Sequence, residues 1–258
     1  MHVYWLQRRK LVYCEVQKVA STTWKNALLA LEMAPAGSKA DMQQFNRLPL
    51  DYVHIDTNVE RYLQRVSRIV DLAKMADMLS ARTKFLFVRH PLVRLLSAYR
   101  DKIAVGSRSE VIHRKQLALI RKHFARSPTN ANVGDAVSFV QFLTYVAETP
   151  TREWNYHWAR IVDLCNPCVV NYDFVGKYET LRDDSAELLR RTGLAGSLTF
   201  PQRNTTIYYK ATSGEDRLLR NYYRHVPLSL GRRLYEKYES DFLLFGYSFR
   251  EEWFARRS

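Results

Sequence analysis

The sequence is short of glycine, proline and cysteine, and it contains no long apolar run. Nine glycines and eight prolines in 258 residues, with 47% apolar content, argue against a disordered chain and predict a globular one. Three cysteines are too few for a disulfide-based scaffold. No apolar run reaches the roughly 18 residues that span a bilayer, and residues 2–10 lack the apolar core of a signal peptide. We therefore expect a soluble chain, or the soluble domain of a longer protein.

Acidic residues are also few relative to basic ones. The chain has 40 Lys and Arg residues against 26 Asp and Glu residues, which gives a net charge of +14. Such an excess attracts polyanions, so nucleic acid, anionic lipid and sulfated or carboxylated polysaccharide are all candidate partners. The alternative is that much of this charge is only solvated surface. No RNA- or DNA-binding motif accompanies the charge, and we therefore expect no nucleic-acid partner.

The pattern of apolar residues predicts strands that alternate with helices. Strands are predicted at residues 11–16, 84–89 and 168–174. Helices are predicted at residues 23–32, 59–79, 110–124, 135–147, 179–191, 215–224 and 227–238, with one more that begins at Pro91 and an irregular connection at 33–58. This alternation is typical of an α/β domain with a central, mostly parallel sheet flanked by helices.

The absence of glycine before Gly37 excludes an ordinary ATP or GTP P-loop near the N-terminus, because that loop needs the pattern GxxxxGK[ST]. Yet residues 17–23 follow an apolar strand, precede a helix and contain Lys18, Ser21, Thr22 and Thr23. A cation, hydroxyls and the N–H groups of a helix start together bind phosphate-like anions. The alternative is a helix capped by Ser21 or Thr22, with a solvated lysine beside it.

A second candidate anion-binding segment follows the strand at residues 84–89. Arg89 ends this strand, Pro91 suits the first position of a helix, and Arg94 and Ser97 share a helix face. A guanidinium and a hydroxyl on the same helix face would bind a phosphate through hydrogen bonds to its oxygens. The alternative is an exposed arginine face on an amphipathic helix. Because ligands of parallel sheets bind at the carboxyl ends of the strands, we expect both segments to serve one site.

Four segments resemble the Golgi carbohydrate sulfotransferases, in the same order. Residues 17–25 resemble their 5′-phosphosulfate-binding loop, and residues 89–99 resemble their 3′-phosphate-binding motif. Residues 157–181 and 235–248 are similar to the branch that contains the chondroitin and dermatan 4-O-sulfotransferases and the HNK-1 sulfotransferase. The resemblance extends over nearly the whole chain. It implies a single P-loop-like sulfotransferase domain over residues 1–258, in which the N-terminal anchor and stem of the family are not present.

The resemblance also implies a donor, 3′-phosphoadenylyl sulfate (PAPS), and no metal. The loop that would bind its 5′-phosphosulfate consists of Gln17, Lys18, Val19, Ala20, Ser21, Thr22 and Thr23. The segment that would bind the side of its 3′-phosphate consists of Arg89, His90, Pro91, Leu92, Val93, Arg94, Leu95, Leu96 and Ser97. Lys18 would stabilise the charge on the leaving oxygen. His157 would act as the base, beside Trp158, which could stack on a sugar.

Two positions depart from the family pattern. Gln17 stands where relatives typically carry proline, and glutamine restores an N–H and loosens φ, so we expect a less preorganised loop. His90 stands where relatives usually carry an acidic residue, and it is an alternative candidate for the base. Cys165 and Cys168 could form a local disulfide in an oxidising lumen, or they could be two reduced thiols.

The function implied by the resemblance is transfer of a sulfuryl group from PAPS to a hydroxyl of an acidic glycan, of the chondroitin or dermatan type, at O4 of GalNAc. The alternative is a catalytically impaired glycan-binding protein on the same fold. The family's usual place is the Golgi lumen, as a type II membrane protein if an anchor exists and otherwise as a soluble domain of the secretory pathway. The glycosylation sequon at Asn204 would be informative only there.

Overall fold

A computed structural model describes residues 2–35, 37–41, 59, 62–104, 110–125, 136–200 and 213–255. The chain folds into two compact units. The first contains residues 1–89 and 161–203, and the second contains residues 90–160 and 204–258. A single catalytic domain over the whole chain stays a prediction.

The first unit is built around one open sheet. Its strands are β1 (Val3–Trp5), β2 (Leu11–Cys14), β3 (Gln64–Arg65), β4 (Thr83–Val88) and β5 (Phe174–Lys177). Their order across the sheet is β3-β1-β2-β4-β5. β4 pairs in parallel with both β2 and β5, whereas β1 is antiparallel to β2 and β3. The predicted α/β class with a mostly parallel centre is therefore confirmed.

Ten α-helices lie within the described residues. They are α1 (Ser21–Met33), α2 (Leu72–Ser80), α3 (Pro91–Lys102), α4 (Glu110–Ala125), α5 (Phe139–Glu148), α6 (Ile161–Cys165), α7 (Pro167–Val170), α8 (Leu181–Arg191), α9 (Ser213–Tyr223) and α10 (Leu228–Leu244). In the first unit, α2 packs against β4 and α8 packs against β5, so helices flank the sheet as predicted. None of the described helices combines the length and the apolar character that a transmembrane helix needs.

The core of the first unit lies on the two central strands. β2 is buried along its whole length and β4 is buried from Lys84 onward, as their nearly continuous apolar runs predict. The ring of Trp24, on α1, packs 4.9 Å from the ring of Phe87 on β4. Gly176 on β5 lies so close to Phe87 that a Cβ there would collide with the ring. Close approach of β5 to β4 therefore requires glycine at this position.

The helix predicted at residues 59–79 is wrong. The segment instead contains the short strand β3, a 3-10 turn at Val66–Arg68 and the helix α2, which begins only at Leu72. Asp71 starts that helix, because its carboxylate accepts hydrogen bonds from the N–H groups of Ala73 and Lys74. Part of the apolar stripe that suggested one long helix is also not buried, since Val70 is 93% exposed.

The strand predicted at residues 168–174 is also wrong in its position. Pro167 occupies the start of the short helix α7, and the strand β5 begins only at Phe174. Asn166 and Asn171, on either side of α7, adopt left-handed conformations with φ of 44° and 53°. Such residues interrupt an extended backbone. The irregular connection predicted at residues 33–58 lies largely outside the described residues, as does the sequon at Asn204.

The second unit is helical and contains α3, α4, α5, α9 and α10. Its buried aromatic side chains include Phe142, Tyr223, Tyr238 and Phe242. The helix predicted at 135–147 begins later, at Phe139, because Ser138 and Gln141 form a capping box. The remaining helix predictions agree with the structure within a few residues at their starts, and α10 extends beyond the predicted end to Leu244.

The disulfide prediction is wrong in its pairing. Cys165, on α6, is bonded to Cys14 at the end of β2, and Cys168 is an exposed free thiol. Both bonded cysteines are fully buried, with Cα atoms 5.8 Å apart. Neither a local Cys165–Cys168 bridge nor a pair of reduced thiols is therefore present. The bridge links the strand that leads into the loop at residues 17–23 to a helix 151 residues later in the chain.

Candidate functional site

The loop between β2 and α1 has an unusual backbone. Lys18 and Ala20 both adopt left-handed conformations, with φ of 71° and 64°, although neither is glycine. Such strained residues persist where the surrounding structure holds them, and they cluster at ligand sites. Ala20 is the N-cap of α1, no side-chain hydrogen bond caps it, and the first turn has no acidic residue. The helix start therefore retains the positive character that attracts an anion.

The side chains of this loop divide into two groups. Gln17, Val19 and Ser21 are buried, whereas Lys18, Thr22 and Thr23 are half-buried. The accessible polar groups of the loop are therefore one ammonium group and two threonine hydroxyls. All three belong to the predicted donor loop, whose role in anion binding stays a prediction.

Gln17 and Ser21 form a hydrogen-bonded chain inside the loop. The Gln17 Nε2 donates to Glu15 Oε1 at 2.7 Å, and this bond fixes the orientation of the amide. The Ser21 hydroxyl donates to Gln17 Oε1 at 3.1 Å. A hydroxyl has a single hydrogen, so in this arrangement Ser21 has none to give to a ligand. A contribution of Ser21 to anion binding stays a prediction, and Gln17 acts as an internal brace.

A buried ion pair fixes the two ends of the loop. Lys25 Nζ, on α1, lies 2.7 Å from Glu15 Oε1, and both side chains are at most 5% exposed. The Tyr4 hydroxyl donates to the second oxygen of Glu15 at 3.3 Å. Loss of one partner would leave a buried charge uncompensated, which is strongly destabilising. The sequence prediction did not single out Glu15, although an acidic residue directly after an all-apolar strand is a recognisable feature.

Arg89 connects the end of β4 to the same loop. Its guanidinium Nη1 donates to the carbonyl oxygen of Lys18 at 3.2 Å, and its guanidinium carbon lies 4.0 Å from the ring centre of Tyr178. Arg89 is only 3% exposed, so the cation–π contact is largely shielded from water. The structure thus brings the first residue of the second predicted motif into contact with the first motif. Tyr178 was not predicted as part of the site.

Residues 90–97 lie in the second unit, and most of them are buried. Pro91 begins α3, and Leu92, Val93, Leu95 and Leu96 belong to the core, whereas Ser97 is partly exposed. A role of this segment in donor binding stays a prediction. The apolar residues of this segment pack in the core, and Arg94 is buried as well. Ser97 is therefore the one residue of α3 in this motif with an accessible polar group.

His90 is packed among aromatic rings. Its Nε2 lies 3.0 Å from the carbonyl oxygen of Ser248 and donates to it, because a carbonyl can only accept. The rings of Phe242, Tyr247 and Trp253 have centres 5.2–5.3 Å from the imidazole. His90 is 7% exposed. These contacts give His90 a packing role, although its burial does not distinguish it from His157, which is 5% exposed.

Arg94 is buried and does not form an exposed arginine face. It is 2% exposed, and its guanidinium donates to the carbonyl oxygens of Ala159 at 2.6 Å and of Tyr156 at 3.2 Å. These two carbonyls lie on either side of His157. Arg94 therefore fixes the segment that contains the predicted base.

His157 has a defined tautomer. Its Nδ1 lies 2.6 Å from Asn155 Oδ1, and its backbone N–H donates to the same atom at 3.0 Å. Because that atom accepts the backbone N–H, it is the amide oxygen, and the imidazole proton must lie on Nδ1. The basic lone pair is then on Nε2, the arrangement that a general base requires. Asn155 was not identified from the sequence.

Trp158 is not available to stack on a sugar. It is 1% exposed, its ring packs edge-to-face on Phe142 with centres 5.3 Å apart, and its carbonyl accepts a hydrogen bond from the Tyr238 hydroxyl. The stacking prediction is wrong, because Trp158 belongs to the core of the second unit. Within the described part of the chain, no group of three or more His, Cys, Asp or Glu side chains could hold a metal ion.

Comparisons with known proteins agree with the resemblance seen in the motifs. Carbohydrate sulfotransferase 11 of Rattus norvegicus is 34% identical over 243 residues, which are 93% of this chain and 65% of the relative. Carbohydrate sulfotransferase 12 of Mus musculus is 34% identical over 254 residues, 93% of this chain and 58% of the relative. Carbohydrate sulfotransferase 14 of Danio rerio is 34% identical over 250 residues, 95% of this chain and 62% of the relative. No solved structure matches the chain significantly.

The chain thus spans less than two thirds of the length of these curated relatives. The profile of the sulfotransferase family matches residues 1–248, which include all four segments that resemble the carbohydrate enzymes. The chain belongs to the sulfotransferase family.

Proposed function

We propose that this chain transfers the sulfuryl group of PAPS to a hydroxyl of a glycan. The observation that carries the proposal is the contact between the two predicted donor-binding motifs, in which Arg89 holds the carbonyl of Lys18. That contact joins a left-handed, anion-attracting loop to the carboxyl end of β4, where ligands of parallel sheets bind. Membership in the sulfotransferase family supports the same reaction.

The donor supplies an activated sulfuryl group, and the protein positions it and stabilises charge. In the reaction the bond between sulfur and the bridging oxygen breaks, and its electron pair stays on that oxygen, which becomes part of the phosphate of the product. A new bond forms between sulfur and the acceptor oxygen. We assign Lys18 to the negative charge that grows on the bridging oxygen, with the hydroxyls of Thr22 and Thr23 and the N–H groups of α1 around the phosphosulfate.

The acceptor hydroxyl must lose its proton, and we assign that proton to Nε2 of His157. The tautomer set by Asn155 supports this role, and Arg94 holds the carbonyls on both sides of the histidine. In this proposal Arg94 is a positioning residue for the base, and Arg89 and Ser97 are the groups assigned to the 3′-phosphate.

The acceptor we propose is a chondroitin- or dermatan-type glycosaminoglycan, sulfated at O4 of GalNAc. The net charge of +14 suits a polyanionic acceptor, and several relatives are carbohydrate sulfotransferases by name. The buried Cys14–Cys165 disulfide suits an oxidising compartment, and we propose the Golgi lumen.

The direct test is transfer of labelled sulfate from PAPS to chemically desulfated chondroitin, desulfated dermatan and a neutral glycan that ends in GalNAc. We expect label on O4 of GalNAc in the chondroitin or dermatan product, identified by disaccharide analysis. Label at another position would contradict the proposed acceptor site but not the reaction. Glycan binding without transfer to any acceptor would overturn the enzyme proposal and would favour a glycan-binding protein on the same fold.

A further inference from the structure

The first unit has a polar cleft at the opposite end of strands β2 and β4 from the loop at residues 17–23. The cleft has a volume of about 630 Å³. It lies at the amino ends of β2 and β4, where Leu11 pairs with Thr83. None of the proposed steps of sulfuryl transfer uses it.

Cationic side chains dominate this cleft. Six of them line it, from the turn between β1 and β2, from the start of β4 and from the end of α8, namely Arg8, Arg9, Lys10, Arg82, Lys84 and Arg191. One carboxylate, Asp173, lines it as well. Burial alone would raise the pKa of Asp173, but hydrogen bonds from the side chain and backbone of Lys84 outweigh it and lower that pKa. Asp173 is therefore ionised near neutral pH and compensates mainly Lys84, 2.8 Å away.

Arg191 is paired with Glu187 of the same helix at 2.7 Å. Arg9 and Arg82 are instead held in place by groups that do not cancel their charge. Arg9 donates to the carbonyls of Leu31 and Ala34 at the end of α1, at 3.0 and 3.2 Å. Arg82 donates to the carbonyl of Met78 at 3.0 Å, and its guanidinium carbon lies 4.8 Å from the ring centre of Trp5. Backbone carbonyls and aromatic rings orient a guanidinium but leave its full charge. The cleft therefore presents fixed positive charge, which binds anions with less loss of side-chain entropy.

The lining residues favour an acidic polysaccharide over a nucleic acid. Proteins that bind single-stranded nucleic acid combine positive charge with aromatic side chains on which bases stack. None of the described residues that line this cleft is aromatic. Arginine forks match the oxygens of sulfate and carboxylate groups, which recur along an acidic glycan.

We propose that this cleft is a second binding site for the acidic glycan. The cleft binds one part of the polymer while the reacting sugar of the same polymer lies near Lys18. This inference rests on the proposed function. The six residues of β4 run from the cleft to the end of the strand next to Lys18, a distance of roughly 20 Å at about 3.3 Å per residue. A polymer can reach both ends of this strand, whereas a disaccharide cannot. Binding at the second site then raises the effective concentration of the polymer at the first.

The test compares two triple variants that each remove three positive charges. The cleft variant carries Arg8→Gln, Lys10→Asn and Arg191→Gln, in which asparagine suits the left-handed φ of 49° at position 10. The control variant carries Lys74→Gln, Arg152→Gln and Arg232→Gln, at exposed positions that do not line the cleft. Affinity for polymeric chondroitin sulfate is measured without PAPS, by titration of a labelled polymer at several salt concentrations.

We expect the cleft variant to bind the polymer on the order of tenfold more weakly than the control variant, because each exposed ion pair contributes a few-fold in affinity. The KM for polymeric desulfated chondroitin should rise by a similar factor. The KM for a disaccharide acceptor and kcat should not change. Equal polymer affinity in the two triple variants would overturn the inference. Duplex or single-stranded DNA that binds the protein as tightly as the glycan does, and displaces it, would overturn it too. The binding measurement needs no turnover, so a failure of the proposed enzyme activity is distinguishable from a failure of the cleft.

Discussion

Lys18 combines a strained backbone with the charge that the proposed reaction needs. Replacing it by glutamine removes the ammonium group, and we expect kcat to fall by about 10²–10³, the typical cost of losing one group that stabilises charge in the transition state. Lys18→Arg should retain more of the activity, since it keeps the positive charge. Initial rates at saturating PAPS, with a disaccharide acceptor, provide the measurement.

The chain offers a matched control for this variant. Lys10 is also a lysine in a left-handed conformation, with φ of 49°. Lys10→Gln should leave kcat for the disaccharide unchanged, because it removes the same charge at the same kind of backbone position but away from the donor loop. An equal loss of kcat in both variants would contradict the role assigned to Lys18.

Gln17 explains how the loop stays organised without proline. Its side-chain amide forms hydrogen bonds with both Glu15 and Ser21. Proline would stiffen the loop by restricting the backbone dihedral φ, whereas here side-chain hydrogen bonds stiffen it. We expect Gln17→Leu and Ser21→Ala each to weaken binding of the product nucleotide, and the two losses to be non-additive by about 1 kcal/mol, since both remove the same hydrogen bond.

Calorimetric titration of the two single variants and the double variant with the desulfated donor nucleotide measures this coupling energy. Thr23→Ala combined with Gln17→Leu is the control pair, because Thr23 lies in the same helix start and its hydroxyl is not part of the hydrogen-bonded chain through Glu15, Gln17 and Ser21. Strict additivity for Gln17 and Ser21 would contradict the brace.

At the scale of elements, the sequence predicted those parts of the fold that depend on local patterns. The continuous apolar runs of β2 and β4 identified two buried strands, and Pro91 identified the start of α3. β1 and β3 were missed because strands of three and two residues carry too little pattern. The helix predicted over residues 59–79 failed because periodicity alone does not register a capping residue such as Asp71 in its interior.

The same division separates the parts of the site that were predicted from those that were not. Lys18, Thr22 and Thr23 lie in one short loop, and a local motif was enough to propose them as donor-binding residues. The ion pair of Glu15 with Lys25 and the stacking of Arg89 on Tyr178 depend on which segments meet in space. The cleft is an extreme case, since its cations come from three segments far apart along the chain, namely residues 8–10, residues 82–84 and residue 191, and no local pattern joins them.

The disulfide is the clearest long-range feature at this scale. It joins two residues with a sequence separation of 151. Loss of such a cross-link lowers the free energy of unfolding by about 3–5 kcal/mol, because the unfolded chain gains conformational entropy. We expect Cys165→Ala to lower the urea midpoint accordingly, and a reducing agent to lower the midpoint of the unaltered protein.

Cys168→Ala is the matched control, because this thiol is exposed and unbonded, and its removal should leave the midpoint unchanged. Circular dichroism measures both transitions. If Cys168→Ala destabilised the protein as much as Cys165→Ala, the native bridge would involve Cys168 instead of Cys14.

At the scale of the whole molecule, the net charge of +14 acts on every anionic ligand at once. Its field should speed the encounter with a polyanionic acceptor and should weaken as salt shortens the Debye length from about 10 Å at 0.1 M to about 3 Å at 1 M. The donor is anionic too, so the effect on the acceptor is visible only when PAPS is saturating throughout.

Under that condition we expect kcat/KM for desulfated chondroitin to fall severalfold between about 0.05 and 0.3 M salt. This polymer keeps its carboxylates, and salt screens their attraction to exposed charges of the protein beyond roughly one Debye length. A neutral glycan that ends in GalNAc should show little change in kcat/KM over the same range, because the protein's field does not steer it. Initial rates with both acceptors give the comparison. A parallel decline for the two glycans would mean that salt acts on the protein or on the donor, and the positive charge would then have no part in choosing the acceptor.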